Sequence, residues 1–408
     1  MSEAYGRLAA ALDALPHGFP STGTGVELRI LERLFSPDEA AVAASLLPVP
    51  ERAEAIARRI RRPVEALRAQ LEEMAAKGLV LAVRRGSGPG EAPGSAPQDA
   101  TGDAPAVAAR YSLLPFVIGI YEFQLPRIDR ELAELFEEYM PALMKEIGGY
   151  RPAMARVVPV GVHIDAPPAV LRYESVRAIL DDGASFRVMD CICRKEQAAL
   201  GKPCSHTSET CLAISPDPDG LQDFPSWGRR IAREEALALL DAIEEEGLVH
   251  CTFNVQHGPM FLCNCCPCCC GFLRGLNEFE APHFLVRSNW VAELAGDDCV
   301  LCGNCAAGRC PTGAIVESDG GYAVKRERCI GCGACVVSCS GGALTLTPRP
   351  DEERTTPPGT LLSWAFRRAA ARSGPVRALA QFGAVAARAA ASEFSARPRG
   401  SRTGASRP

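Results

Sequence analysis

The cysteines constrain this chain more than any other feature of its sequence. All 19 of them lie between Cys191 and Cys339 of the 408 residues, and six occur in the run Cys263–Cys270. Thiols packed as small apolar side chains cannot account for this density, and a chain of this length is no small disulfide scaffold. Because the N-terminus also lacks a basic start and an apolar signal core, we expect a cytoplasmic protein whose cysteines bind metal.

The most specific pattern is a pair of cysteine triplets, each followed by a fourth cysteine. The two runs are Cys299, Cys302, Cys305 and Cys310, then Cys329, Cys332, Cys335 and Cys339. This pattern resembles the bacterial dicluster ferredoxin domain, in which the fourth cysteine of each run ligates the other cluster. The resemblance therefore assigns Cys339 to the 4Fe-4S cluster of the first triplet and Cys310 to that of the second.

Two features depart from the ferredoxin pattern. Four residues rather than three precede Cys310, and Ser340 follows Cys339 where a proline is usual. We expect the added loop residue to leave Cys310 within reach of the second cluster. Paired zinc ribbons are the alternative, but such sites use Cys-x2-Cys pairs and not triplets. A hairpin turn at Asp319–Gly321 and a last strand at Ala343–Leu346 are also expected.

A second group of cysteines precedes these runs. Its members, which are enough for one metal site, are Cys191, Cys193, Cys204 and Cys211. We favour an iron–sulfur cluster here because the neighbouring runs indicate such clusters, and zinc is the alternative. The pair Cys191 and Cys193 could serve one site or two. Arg194 and Lys195 could stabilise anionic thiolates or could simply be exposed charges.

The densest run has no packing explanation. It consists of Cys263, Cys265, Cys266, Cys268, Cys269 and Cys270, with Cys251 upstream. Adjacent cysteines cannot all point at one metal ion, so we expect the run to serve more than one centre, and it could also complete the site of Cys191–Cys211. The histidines His206, His250 and His257 are more often hydrogen-bonding neighbours of such loops than ligands.

The chain divides into four regions by composition and periodicity, which together predict a multidomain α+β protein. Three helices followed by a strand resemble a winged-helix module over residues 25–115, with a flexible, Gly- and Pro-rich wing at 86–106 and a returning strand after it. A central α/β cysteine-rich domain is predicted over 116–290, beginning with a strand at Phe116–Phe123. The βαβ-repeat ferredoxin domain is predicted over 297–348.

The last region, 354–408, carries ten Arg and one Glu in a chain whose net charge is −5. We expect a basic, largely disordered tail that forms no part of a core, because buried arginine needs partners. Trp364 and Phe366 lie beside Arg367 and Arg368 and indicate at most a weak contact with a membrane surface.

Electron transfer is the function that the motifs favour. Two ferredoxin clusters with at least one further metal centre would relay single electrons to or within a redox partner protein. Two alternatives are a redox- or metal-sensing winged-helix regulator and a reductase whose site is the Cys263–Cys270 loop. DNA is a disfavoured partner because residues 51–85 hold nine basic and five acidic side chains. The motifs specify no small-molecule substrate. The middle region is also loosely similar to uncharacterised iron–sulfur proteins that end in a dicluster ferredoxin domain.

Overall fold

The computed structural model of the protein describes residues 3–83, 109–161, 172–218, 220, 228–278 and 284–396. Its N-terminal elements are α1 (Glu3–Asp13), α2 (Val26–Leu34), α3 (Pro37–Ala43), β1 (Glu51–Arg52), α4 (Ala53–Ile60), α5 (Val64–Ala76), β2 (Val80–Val83) and β3 (Arg110–Leu113). The predicted wing at 86–106 lies outside the described residues.

The N-terminal elements form where the sequence signals predict them. Ser36 caps α3 through a reciprocal pair of hydrogen bonds with Glu39, and Pro37 occupies the first helical position. The predicted returning strand is β3, which pairs antiparallel with β2, while the short strand β1 pairs with the other edge of β3. Two elements were not foreseen, namely β1 and the helix α1, which precedes the predicted boundary at residue 25 and packs on α2 and α3. The interpretation of this region as winged-helix-like remains a prediction.

The central region is built around one sheet of seven strands. Its elements are α6 (Arg130–Gly148), β4 (Ala155–Val158), α7 (Val176–Asp181), β5 (Ser185–Asp190), α8 (Ile192–Ala199), β6 (Glu209–Ser215), β7 (Arg229–Ile231), α9 (Arg233–Glu246), β8 (Val249–Phe253), β9 (Phe261–Cys265), α10 (Gly271–Asn277) and β10 (Leu285–Val286). The strand order is β10-β4-β8-β9-β6-β5-β7.

The direction of these strands corrects the predicted α/β class of the central region. Among the described strands of this sheet, β10 pairs parallel with β4 and every other pairing is antiparallel. A parallel α/β sheet needs crossover helices between successive strands, whereas β8 and β9 are joined by a short connection. Mixed helix and sheet, and hence α+β, describes both this region and the molecule.

The segment predicted as a strand at Phe116–Phe123 is not one. Phe116–Ile120 forms an irregular π-type turn, in which Ile118 has a φ of 55° and Glu122 accepts a hydrogen bond from the Gly119 N–H at 2.7 Å. The apolar side chains of Phe116 and Ile120 are buried, so the hydrophobic run signalled burial rather than an extended backbone.

The C-terminal cysteine runs lie in two small two-stranded sheets. The elements are β11 (Trp290–Leu294), β12 (Ile315–Ser318), β13 (Gly321–Val324), α11 (Ala334–Val337) and β14 (Leu344–Pro348). The predicted hairpin is β12–β13, whose two-residue loop has positive φ angles at Asp319 and Gly320, as a type I′ turn requires. The predicted last strand is β14, which pairs antiparallel with β11.

The basic C-terminal segment is ordered over most of its length, contrary to the sequence-based expectation. It forms α12 (Leu361–Ser373) and α13 (Pro375–Ala396), and the side chains of Trp364 and Arg368 are fully buried. Trp364 donates to the Ala153 carbonyl at 2.9 Å. The Arg368 guanidinium finds its partners in backbone carbonyls, which sequence reasoning had not counted, namely those of Pro16, Ile147, Tyr150 and Pro152.

The predicted contact of this segment with a membrane surface stays a prediction. Leu362, Val376 and Leu379 are exposed apolar side chains on α12 and α13. None of the described helices combines the length and the apolar character that a bilayer span requires.

The C-terminal cysteine region packs directly on the central sheet. At the end of β4, the Val160 N–H donates to the Cys332 carbonyl at 3.0 Å. Gly333 has a φ of +82°, and a Cβ at this position would stand 2.4 Å from Val160 Cγ2. Only glycine therefore lets the second cysteine triplet approach the sheet this closely.

Candidate metal centres

The two C-terminal cysteine runs surround two cavities. The thiols that line the first are Cys310, Cys329, Cys332 and Cys335, here called the inner set. The thiols that line the second are Cys299, Cys302, Cys305 and Cys339, here called the outer set. In each cavity three cysteines come from one run and the fourth from the other, which is the crossed grouping that the ferredoxin resemblance implies.

The surroundings of these thiols suit an iron–sulfur cluster. Backbone N–H groups point at the sulfurs, since Ala314 donates to Cys310 Sγ at 3.0 Å and Ala292 to Cys329 Sγ at 3.5 Å. The triplet loop is tight, because a Cβ on Gly331 would stand 2.1 Å from the Trp290 carbonyl oxygen. Four soft thiolate donors around a cavity, with N–H donors to sulfur, fit the needs of a 4Fe-4S group.

The extra residue before Cys310 is absorbed locally. After the first triplet the chain makes a π-type turn over Cys305–Arg309, with Gly308 at a φ of 107°. After the second triplet, which has the usual spacing, it makes the regular helical turn α11. A widened turn accommodates one more residue without moving its ends apart, so Cys310 still reaches the inner set.

Seven cysteines of the central region form a second assembly. Six of them make a closed ring in which each thiol is a neighbour that shifts the pKa of the next, in the order Cys191, Cys193, Cys270, Cys265, Cys263 and Cys211. The thiol of Cys251 contacts that of Cys265. We call these seven residues the thiol ring.

The sheet explains how residues distant in sequence meet in this ring. Cys251 on β8 lies directly opposite Cys263 on β9, and the pairing of Leu212 with Leu262 places Cys211 on the other side of Cys263. Cys265 lies two residues along β9 and therefore on the same face. Cys191 and Cys270 immediately precede α8 and α10 and therefore enter the ring from the starts of two helices.

The remaining four cysteines of the central region form a much tighter group. The sulfur atoms of Cys204, Cys266, Cys268 and Cys269, here called the four-thiol site, all lie within 4.8 Å of one another. The Cys204 sulfur is 3.8 Å from that of Cys266 and 3.5 Å from that of Cys268. In the described part of the chain this is the only group of at least three potential metal ligands whose ligand atoms all lie within 4.8 Å of one another. The sulfurs of the thiol ring are therefore more widely spaced than those of the four-thiol site.

This division corrects one predicted grouping and supports another. Cys204 does not join Cys191, Cys193 and Cys211, because it lies at the four-thiol site. The Cys263–Cys270 run does serve two groups, and strand alternation is the reason. Cys263 and Cys265 point to one face of β9, so the following Cys266 points to the other.

Arg194 lies between the two central groups. It is 3% exposed, and it donates to Thr210 Oγ1 at 2.6 Å and to the Asn264 carbonyl at 3.0 Å. Although burial opposes its charge, the thiolates of Cys191 and Cys266 raise the pKa of Arg194. In turn, a hydrogen bond from Cys269 and the Arg194 charge lower the pKa of Cys266 to about 4. The interpretation of Arg194 as an exposed charge is therefore wrong, whereas Lys195 is half-exposed and pairs with Asp190 at 2.9 Å.

The histidines have other partners in the described structure. His250 is buried between Asn264 and Glu244, with its ring nitrogens 2.6 and 3.2 Å from their side-chain oxygens. His206 donates its backbone N–H to Cys204 Sγ at 3.4 Å, and its ring faces Glu246. His206 is thus a hydrogen-bonding neighbour of a thiol, as sequence reasoning favoured, whereas the partners of the His250 ring are not thiols.

Sequence reasoning did not assign two buried residues of the central region to a site. Cys251 was noted without being placed at a site, although the short connection between β8 and β9 puts Cys251 opposite Cys263. Glu196 was not noted at all. It is buried on α8, hydrogen-bonds with the hydroxyl of Tyr121, and burial raises its pKa to about 8. A single glutamate in a mixed-charge helix gives no sequence signal of this burial.

Comparison with known proteins decides the nature of the C-terminal cysteine region. Residues 298–344 match the 4Fe-4S dicluster domain family. This part of the chain is a 4Fe-4S dicluster domain. The match and the two sets of four thiols indicate that the dicluster domain binds iron–sulfur clusters. Which cysteine ligates which cluster is a proposal.

Relatives of the chain are iron–sulfur and electron-transport proteins. It is 29% identical over 90 residues to a probable iron-sulfur subunit of the Frd operon of Proteus vulgaris, covering 21% of this chain and 57% of that protein. It is 38% identical over 71 residues to the "Electron transport protein HydN" of Escherichia coli strain K12, covering 16% of this chain and 41% of that protein. The chain thus spans about half the length of these curated relatives. No solved structure matches it.

Proposed function

We propose that this protein is an iron–sulfur electron-transfer protein that passes single electrons between a redox partner and a buried centre of its own. The inner and outer sets would each hold one 4Fe-4S cluster, in the crossed arrangement. Such clusters, when bound, take up and release one electron at a time. The names of the curated relatives, one of them an electron transport protein, support this proposal.

The observation that carries the proposal is the packing of the dicluster domain on the central sheet, whose strands hold the thiol ring. The Val160 N–H, just after β4, donates to the Cys332 carbonyl at 3.0 Å. Cys332 of the inner set and Cys251 of the ring belong to one continuous buried cluster of side chains. Cys265 lowers the pKa of Cys251, but burial and the surrounding thiols, Cys332 among them, raise it overall. A carrier domain fixed against a sheet that holds seven further thiols, five of them buried, is suited to exchange electrons within the chain as well as outside it.

The thiol ring would hold a third iron–sulfur centre. Its sulfurs are arranged around a space wider than that of the four-thiol site, as expected where each thiolate binds a different iron. Six of its members are closed in a ring and four would suffice for a cubane. Burial of Cys191, Cys211 and Cys270 excludes water from the group, which stabilises iron–sulfur clusters against hydrolysis.

The outer set would be the point where a redox partner binds. Cys302 is the exposed member of this set, and the neighbouring side chains of Val300 and Leu301 are 62% and 55% exposed. The inner set is mostly buried against the central region. A partner protein that covers this apolar edge would therefore approach the outer thiols most closely.

The N-terminal module would bind protein rather than DNA. On and around α5 the basic side chains are already paired with carboxylates, since Lys77 lies 2.9 Å from Glu39 and Arg68 pairs with Glu54. A DNA-binding face needs cations that are available to phosphates. This pairing leaves regulation through DNA binding as the weaker hypothesis.

A reductive titration tests the function. Anaerobically purified full-length protein would be titrated with reduced methyl viologen, a one-electron donor, and followed by EPR. We expect uptake of about three electrons per chain, one for each proposed cluster. The Cys302→Ser variant should take up about one electron fewer. A chain that contains its iron but accepts no electrons would contradict the proposal.

A further inference from the structure

The four-thiol site differs from every other cysteine group in its spacing. A tetrahedral ion with metal–sulfur bonds of about 2.3 Å holds its sulfurs about 3.8 Å apart. The observed separations are 3.8 Å from Cys204 to Cys266 and 3.7 Å from Cys269 to Cys268. A cubane binds one thiolate at each of four irons and needs its sulfurs farther apart. The geometry is that of a single ion.

The four-thiol site uses different thiols from the thiol ring, although the two groups are neighbours. Cys266 directly follows Cys265 and, by strand alternation, points away from the face of β9 that carries Cys263 and Cys265. Around Cys266 and Cys269 pack Ile243, Leu248 and the ring member Cys193, and no cysteine of the dicluster domain belongs to this cluster of side chains. The site thus shares none of its thiols with the ring or with the dicluster domain.

The groups around the four-thiol site favour a metal complex with a net negative charge. Four thiolates and a divalent cation leave two negative charges, and the buried guanidinium of Arg194 faces Cys266. Its Nε has no hydrogen-bond partner in the described structure, which leaves that N–H available to a thiolate. The backbone N–H of His206 already donates to Cys204 Sγ.

We propose that Cys204, Cys266, Cys268 and Cys269 bind one structural zinc ion, distinct from the iron–sulfur centres of this chain. A tetrahedral set of four thiolates suits zinc, and at a given site zinc binds more tightly than ferrous iron. Zinc has no redox chemistry, so the ion would hold the 266–270 loop against the turn at Cys204 and would carry no electrons.

Metal analysis of matched variants tests this assignment. Zinc, iron and acid-labile sulfide would be measured per chain in the anaerobic wild type, in Cys268→Ser and in Cys263→Ser. We expect one zinc in the wild type, loss of zinc with unchanged iron and sulfide in Cys268→Ser, and the reverse in Cys263→Ser. Cys268 is the exposed ligand, so its replacement disturbs the core least.

Zinc-edge X-ray absorption spectroscopy of the wild type tests the assignment without a variant. Misfolding of a variant therefore cannot affect its result. The proposal predicts a shell of sulfur alone, at about 2.3 Å. Absence of zinc, iron without sulfide at this site, or joint loss of iron and sulfide in Cys268→Ser would overturn it. None of these outcomes depends on electron uptake, so the electron-transfer proposal stands or fails separately.

Discussion

The dicluster domain and the central region bring their cysteines together in opposite ways. In the dicluster domain, three of the four thiols of each set come from one short loop, and the fourth comes from the matching run. In the central region, the ring draws Cys211 from β6, Cys251 from β8 and Cys263 from β9, with others from helix starts. Local spacing specifies the first kind of site. The second kind exists only once the sheet has formed.

The largest effect should follow from breaking the assembled site. In the Cys263→Ser variant, the ring loses the thiol that contacts both Cys211 and Cys265. We expect loss of about four irons, the content of one cubane, with the EPR signals of the dicluster domain retained. Because the ring thiols belong to the sheet core, the melting temperature should also fall. Unchanged iron would show that the ring holds no cluster.

Removing one ligand from a set in the dicluster domain should affect that domain alone. In Cys339→Ala the outer set loses its crossed ligand, so we again expect about four irons fewer. Here the melting temperature of the central region should hardly change, because Cys339 packs within its own domain. Loss of the inner signal in place of the outer one would mean that the crossed assignment is wrong.

The central region also depends on chain segments that are distant in sequence. Replacing Arg368 with Ala leaves the carbonyls of Pro16, Ile147, Tyr150 and Pro152 without their buried donor. We expect the free energy of unfolding to fall by at least about 3 kcal/mol. The control is Arg367→Ala, an exposed neighbour, which should cost no more than about 0.5 kcal/mol. Equal effects in urea unfolding would rule out the buried role of Arg368.

The interface between the dicluster domain and the central sheet gives a more specific test with a smaller expected effect. In Gly333→Ala the new Cβ meets Val160 and the positive φ is strained, so we expect a loss of about 1–3 kcal/mol with full iron content. In Gly342→Ala, φ is +68° but no atom lies within 4 Å of the new Cβ. The difference between the two variants measures the packing of the dicluster domain on the sheet. If the two unfold alike, that packing contributes nothing.

The smallest expected effect is a dependence of stability on pH. Burial and the charges of Arg368 and Arg372 lower the pKa of His17 to about 3. Between about pH 6.5 and 3 the unfolded chain therefore binds a proton that the folded chain does not, and the free energy of unfolding falls as pH falls. Above about pH 6.5 the contribution of His17 should be flat.

A matched variant isolates the contribution of His17. The His17 ring packs against that of Trp364 at a tilt of 51°, with centroids 5.1 Å apart, and its Nδ1 has no hydrogen-bond partner in the described structure. Phenylalanine keeps the ring without the titrating group. Urea unfolding of His17→Phe from about pH 5.5 to 7.5 should show a weaker pH dependence than the wild type, and an identical slope would assign the effect to other residues.

The same comparison explains what the sequence could predict. The dicluster domain, its hairpin at Asp319 and Gly320 and the capped helix α3 follow from short patterns that act within one turn or loop. The placement of Cys204 does not, because its partners lie about sixty residues away in the sequence. The burial of Arg368 was missed because its partners are backbone carbonyls. Every residue has such a carbonyl, so the sequence gives no signal of which ones will accept a hydrogen bond. The Phe116–Ile120 turn shows that an apolar run predicts burial better than it predicts backbone shape.

Counting iron and acid-labile sulfide in anaerobically purified, full-length protein tests the central claim most directly. Two clusters in the dicluster domain account for about eight irons and eight sulfides per chain. A further centre in the thiol ring raises both numbers to about twelve or more, and this is the result that we predict. A protein that holds about eight of each, with both dicluster signals fully developed on reduction, would contradict the account.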